Sequence, residues 1–407
     1  MKQMKVFIYI FVTAFILSSC SIQKRCQAPE LNLPDEIIAG ENDTLTIADM
    51  SWWELYSDST LSNLIKKTLR NNRNMQAAEA HIRQMEELYR VSKASRWPTI
   101  GAQLFADHET NDYYGEKFKK SPEFSLKASL GWEIDLWGSL RWGKRKGAAE
   151  YLASVEAARA MQMTLIAETA TAYFELVALD QELEIVLQTV KTREESVNQA
   201  RLRFEGGLTS ETAYQQAQVE LASASALIPE LEQKIALKEN QIAVLAGEYP
   251  SKVERGEFDL NVTWPENIPI GLPSTLLQRR PDVRQAEQQL QAAMAAVGIA
   301  YADRFPRLTI SLVGGLENDE LKGFFESPFS YVSGNLVAPL LTFGKKKAQY
   351  KASLAAYDEK RFAYEQKVLE VFREVNDAVI TYQKKRRTSE LQLNLFEAAQ
   401  KLSLIHI

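Results

Sequence analysis

Histidine and cysteine are nearly absent: the chain holds three of the first and two of the second. Together they leave almost nothing for an ordinary structural or catalytic metal site. No CxxC, HExxH or G-x-S-x-G pattern occurs, so thiol-redox, zinc-hydrolase and serine-nucleophile chemistry find no support. Charge of one sign is missing too. A formal net charge of −5 argues against a nucleic-acid-binding protein, which carries a strong basic excess. Long hydrophobic runs are the last absence. The one apolar stretch, Val6 to Leu17, has twelve residues, where a membrane-crossing helix needs about 20. If this chain crosses a bilayer, it must do so with strands.

What is present begins at the N-terminus. "MKQMK" is a basic n-region, the run after it suits a secretory h-region, and it ends in "LSSC", Leu17 to Cys20. This resembles the bacterial lipobox, in which Cys20 carries a covalent lipid and becomes the mature N-terminus. Ser21 follows, with no Asp there to suggest inner-membrane retention. An ordinary signal peptide with an incidental Cys stays open as an alternative. Cys26 is a leftover thiol in a tether.

Helical tracts rich in Ala, Glu and Gln fill most of the chain: Ser62 to Lys93, Lys144 to Phe204, Ser210 to Leu245, Asp282 to Asp303, and Lys345 to the end. The second, at 1.5 Å per residue, is roughly 90 Å long, more than a compact domain needs. Its apolar positions, including Val155, Ile166, Tyr173, Val177, Leu183 and Phe204, recur at spacings of threes and fours, the stripe of a coiled-coil-like helix.

Between the helices the period changes. In "FSLKASLGWEIDLW" Phe124, Leu126, Ala128, Leu130, Trp132, Ile134 and Leu136 share one face, and Ser125, Lys127, Ser129, Gly131, Glu133 and Asp135 share the other. A stretch of this length more than spans a membrane as a tilted strand. "TIGAQLFAD" before it alternates more weakly, and "HETNDYYGEKFKKSP" between them reads as an exposed loop.

The pattern then recurs. Pro98 answers to Pro306 and Asn74 to Asp282 at an offset of 208; Gly138 answers to Gly344 and Glu168 to Glu374 at 206. One unit of helix, strand, loop, strand and long helix is present twice. The expected organisation is a lipoprotein signal peptide at 1–19, an acylated tether at 20–57, a first repeat at 58–246, an equatorial connector at 247–280 and a second repeat at 281–407. Strands are expected at 97–108, 123–137, 306–317 and 329–343. An open four-stranded sheet leaves unpaired edges that lipid cannot satisfy. Eight strands from two copies fill their own interior, whereas twelve from three leave a channel.

"DLWGSLRWGKRKG", Asp135 to Gly147, has the G-x4-G-K spacing of a phosphate-binding loop, but Arg145 stands where Ser or Thr should hold magnesium, and the strand before it is two-faced rather than buried. Its partner "LLTFGKKKAQ" keeps the aromatic-Gly pair and the basic cluster. Gly138 and Gly344 therefore read as barrel-to-helix hinges. Trp137, Trp142 and Phe343 suit a membrane interface, and Lys144 to Lys146 and Lys345 to Lys347 suit anionic headgroups. Glu133 and Asp135 are the candidates for the lumen face. Gly206 and Gly207 end one long helix, and Thr209 or Ser210 caps the next. In "QRRPD", Pro281 fits the first helical position, so a structural role suffices.

Several segments resemble the TolC-like outer-membrane efflux factors, in the lipoprotein (NodT-type) branch that serves RND pumps: "WWELYSDSTLSNLIKKTLRNNRNMQAAEAHI", "ETATAYFEL", "RFEGGLTSETAYQQAQVELASA" and "IPIGLPSTLLQRRPDVRQAE". The match covers Trp52 to about Gln400. The resemblance implies a mainly α fold with membrane β: long coiled-coil-like helical hairpins plus four membrane strands per chain. It further implies a homotrimer with a twelve-stranded barrel in the outer membrane and a helical periplasmic tunnel. It makes the chain a passive exit duct for small toxic compounds, docked to a periplasmic adaptor and an inner-membrane RND pump, without cofactor, metal or catalytic residue. It places Arg203, Gly206, Gly207, Leu208, Thr209 and Ser210 at an adaptor-contacting tip. The 206 offset carries Leu208 beyond the last residue, and "KLSLIHI" departs from the family pattern. A truncated second hairpin is therefore expected, and no gate residue is assigned. A type I protein-secretion duct, a lipid-anchored periplasmic coiled coil and a nucleotide-dependent enzyme are the alternatives.

Overall fold

The computed structural model describes residues 29, 58–111, 119–256 and 277–405. The signal segment, Cys20, Cys26 and connector residues 257–276 lie outside them. The elements are α1 (Ser59–Asn71), α2 (Arg73–Ala94), β1 (Thr99–Asn111), β2 (Lys119–Ile134), α3 (Ser139–Glu205), α4 (Glu211–Leu245), α5 (Pro281–Ala302), β3 (Arg307–Asn318), β4 (Pro328–Val337) and α6 (Lys345–Ile405). Helices of 67 and 61 residues dominate. No helix among the described residues is long and apolar enough to cross a membrane.

The chain divides into two compact units, and neither is one of the two repeats. The first comprises Met1–Leu33, Ile82–Glu156 and Leu277–Glu374; the second comprises Pro34–His81, Ala157–Leu276 and Val375–Ile407. Each draws on both repeats; in the first, strands of one repeat pair with strands of the other.

The first unit holds a four-stranded antiparallel sheet in the order β1-β2-β3-β4. In register, Leu104 faces Leu126 and Leu126 faces Leu316, while Ile100, Leu130, Leu312 and Val332 form a second row. The period of two therefore puts apolar rows from all four strands on one face. Below the sheet α5 and α6 pack through Leu290, Val297, Tyr350 and Tyr357.

Every strand bound differs from the sequence expectation, by one to six residues, and three of the shifts have a visible cause. β2 reaches back to Lys119, because Lys119–Ser121 pair with Glu109–Asn111 and turn part of the expected loop into hairpin. It ends at Ile134, not 137, where the Leu136 amide folds back onto the Ile134 carbonyl at 2.8 Å. β4 ends at Val337, not 343, opposite Arg307, the first residue of its one partner.

The second unit packs α1 against α3 through Leu61, Ile65, Ile166, Ala170, Tyr173 and Val177, and Ala172, Leu176 and Ile242 join α3 to α4 in a second cluster, with Leu64 packed against both. Only this part of the long α3 stripe is buried; Leu187 is exposed. The tract Ser62 to Lys93, expected as one helix, is two. Asn72 interrupts it in an extended conformation, its side-chain oxygen accepting from the Asn74 and Met75 amides at 2.9 and 3.2 Å.

Candidate functional site

The sheet's apolar face is uncovered. Ile100 is 80% and Leu104 77% exposed, with Leu126, Trp132, Leu312 and Val332 exposed beside them. The opposite face is polar and internally paired. Lys127 reaches Glu317 at 2.9 Å and Glu123 at 3.8 Å, and its ammonium lies 5.8 Å from the centre of the Phe329 ring. This ion pair joins strands of different repeats and was missed by the sequence reading. Its signal was opposite charge at polar-face positions of two strands that the duplication makes neighbours.

Glu133 lies on that polar face, opposite Thr309. Asp135 does not. It falls past the end of β2 and turns its carboxylate to the start of α3, accepting from the Leu140 and Arg141 amides at 3.1 and 2.9 Å and from the Arg141 guanidinium. A helix N-terminus with unpaired N–H groups draws an acid that a strand would have left on its surface.

At the strand-to-helix transitions Gly138 has φ +81° and Gly344 φ +84°, a left-handed backbone that favours glycine. The surrounding aromatics are not alike. Trp137 is half-buried, its ring 4.4 Å from that of Phe305, and its indole N–H donates to the Pro306 carbonyl at 2.7 Å. Trp142 lies over Gly298, where a Cβ would meet the indole at 2.3 Å, and Arg145 stacks on its ring. Both tryptophans, expected at a membrane interface, pack between the two repeats and fasten them together. Phe343 is the exposed one.

The turn between α3 and α4 is built by hydrogen bonding. The Leu208 amide donates to Arg203 O at 2.8 Å and the Gly207 amide to Phe204 O at 2.9 Å, with Gly207 at φ +74°. This paired closure ends a helix on a left-handed residue. Ser210 stands at the N-cap of α4 but makes no side-chain cap bond; its carbonyl accepts from Ala213. Thr209 is half-buried and Leu208 is 81% exposed. Phe204 and Tyr214 stack across the two helices, and Arg193 pairs with Glu220 at 3.6 Å.

The described start of the connector is anchored in the second unit. The buried Tyr173 hydroxyl donates to Asp58 Oδ2 at 2.6 Å and accepts from the Gly256 amide at 2.9 Å. Burial, together with the hydrogen bond to Asp58, pushes this phenol up to about 12. Arg255 bridges Asp180 and Glu239. In the first unit, Pro281 opens α5 as expected, and Arg280 forks between Asp282 at 2.8 Å and Glu374 at 2.7 Å. Burial would raise the Asp282 carboxyl, but the bond and charge of Arg280, aided by Lys367, hold it below the usual aspartate value. Among the described residues no His, Cys, Asp and Glu group is arranged to hold a metal.

Four strands long enough to span a bilayer, apolar on their uncovered face and joined by glycine hinges to very long helices, define a membrane-strand protein with a helical duct. Comparison with known proteins makes the class specific. The family model described as outer membrane efflux protein matches residues 64–248 and 272–403, and the chain belongs to that family. It is 28% identical over 395 residues to the antibiotic efflux pump outer membrane protein ArpC of Pseudomonas putida, covering 94% of this chain and 81% of that one. It is 28% identical over 381 residues to the probable outer membrane lipoprotein SilC of Salmonella typhimurium, covering 90% and 81%. Among solved structures, the outer-membrane channel OprN matches with a TM-score of 0.84 at 27% identity, over 92% of this chain and 87% of that one. The protein is an outer-membrane efflux component, with its long helices on the periplasmic side.

Proposed function

We propose that three copies close their sheets into a twelve-stranded barrel and form the exit duct of a tripartite RND-type efflux system. The observation that carries this is the sheet: its apolar face is uncovered and its two outer strands each have an open edge, which lipid does not tolerate. The polar face with Lys127, Glu317 and Glu133 then lines the lumen, and the uncovered face meets hydrocarbon. A lipid on Cys20, after removal of residues 1–19, adds an anchor.

The α3–α4 turn contacts a periplasmic adaptor through Arg203 and Leu208, with Gly206, Gly207, Thr209 and Ser210 shaping the turn. An exposed leucine at the end of two long helices offers the apolar anchor that such a contact needs. The cargo is small toxic compounds, delivered by an inner-membrane pump that makes the selection. Relatives are named for antibiotic, cation and pyoverdine export, cargoes too different for one passive duct to recognise individually.

Membrane fractionation and export assays test this. The protein should sediment with the outer membrane, resist salt extraction and migrate as a heat-sensitive oligomer. Its deletion should sensitise cells to a panel of toxic compounds, and Leu208→Glu should reproduce that sensitivity with the oligomer intact. A protein released by mild salt would sink the duct reading.

A further inference from the structure

The duplication is obeyed to the residue in the strands. β1 pairs with β2 so that Thr99 faces Gly131, and β3 pairs with β4 so that Arg307 faces Val337. Moving Thr99 by 208 and Gly131 by 206, the offsets of the sequence repeat, reaches that second pair. The seam between the repeats is filled within the chain: Ile134 faces Leu308 and Trp132 faces Ile310, and just beyond them Trp137 stacks on Phe305. The matching seam, β4 with β1, has no counterpart in one chain, since both are edge strands. The same offsets turn Trp137 and Phe305 into Phe343 and Trp97. These two rings are 92% and 71% exposed.

We propose that β4 pairs with β1 of a second copy in the register of β2 with β3, and that Phe343 stacks on Trp97 of the partner subunit. Leu340 then faces Ile100 of the partner subunit, and Ala338 faces Ala102 of the partner subunit. This rests on the oligomeric reading above and names the contacts that make the junction.

Four observations support it beyond the arithmetic. The register keeps the apolar face continuous, since Leu336, Ala338 and Leu340 meet apolar-face residues of β1; a one-residue slip would turn every side chain to the other face. β4 stops at Val337 because β3 supplies no partner further on, and pairing with a second β1 gives the stretch beyond it a backbone partner, with Pro339, which has no N–H, opposite Gly101 of the partner subunit. Phe343 has φ +46°, a left-handed backbone that a bulky residue adopts only when its surroundings hold it there, and an aromatic partner does so. Finally, the seam exchanges sizes. Within the chain Trp142 covers Gly298; the offsets give Ala348 and Arg90, both exposed, so the large side chain changes sides and the small one again receives it.

Cysteine pairing in the full chain in its membrane tests the register, in a Cys26→Ser background. Directly opposite Cβ atoms are about 4.5–5.5 Å apart, close to disulfide reach. Ala102→Cys with Ala338→Cys should give covalent multimers on mild oxidation, and Ala102→Cys with Leu336→Cys should give none. The shifted pair bridging instead, or neither pair bridging while the heat-sensitive oligomer persists, overturns the register. Absence of any oligomer in the unsubstituted protein overturns the trimer on which it rests. For the stack, Phe343→Ala and Trp97→Ala should each lower the dissociation temperature of the oligomer, and the double variant should fall no further than the worse single. Additive losses would overturn the stack.

Discussion

The side-chain amide of Asn72 donates to the Leu245 carbonyl at 2.9 Å, joining positions 173 residues apart. Its oxygen starts α2, and its backbone N–H closes α1 on the Thr68 carbonyl at 2.9 Å. One buried residue thus serves three helix ends. Asn72→Ala should cost about 2–3 kcal/mol, roughly 1 from the lost cap and the rest from a carbonyl left unpaired. Asn72→Asp keeps the cap acceptors, loses the donor and should fall between. Denaturant unfolding of the helical part, followed by circular dichroism, measures both.

Two glycines with the same backbone should respond differently to alanine. Gly207 and Gly247 have φ +74° and +72°, and each closes a helix with the same pair of bonds. A Cβ at Gly207 meets nothing within 4 Å, whereas one at Gly247 would lie 2.4 Å from the Asn71 carbonyl oxygen. Gly207→Ala should therefore cost about 1 kcal/mol of backbone strain. Gly247→Ala must also displace backbone, and it should lower the thermal midpoint by clearly more.

Alkaline pH should act through Tyr173. Its phenol is held protonated in the fold, up to about 12 against an ordinary value near 10. The stabilisation is complete below pH 10 and is lost as pH rises from there through about 12. Tyr173→Phe should lower stability at neutral pH, because Asp58 and the Gly256 amide lose a partner, and should flatten the loss between pH 10 and 12. A wild-type profile that is already flat there would contradict this assignment.

Acid should act through Asp282. With its carboxyl held low by Arg280, its contribution is present above the ordinary aspartate value and disappears only as pH falls through the lowered one. Arg280→Ala removes the attraction and leaves the burial that raises Asp282, so the acid limb of the stability profile should move to higher pH. Arg280→Lys should recover part of the shift, since a lysine cannot fork between Asp282 and Glu374.

Local rules made much of this fold legible. Alternation from Phe124 to Ile134 marked a two-faced strand, Pro281 marked a helix start, and Gly138 and Gly344 marked turns, because each depends on the residue's own backbone or its immediate neighbours. The misreadings share a cause. Asn72 sits inside an unbroken amphipathic pattern, and its third bond goes to a carbonyl far along the chain. Asp135 continues the strand's alternation by one step, while the helix after it takes the carboxylate. Trp137 and Trp142 have the composition of an interfacial girdle and the packing of a joint.

By itself the sequence determined the period of each element and the fact that one architecture is used twice, because periodicity and offset are properties of the chain alone. Only the tertiary structure decided which partners those elements found. Strand register, the Lys127–Glu317 pair and the packing of two tryptophans depend on distances between residues that no local spacing encodes. The same distinction separates Trp137 from Phe343: equivalent in the repeat, one ring is packed by its own chain and the other is exposed.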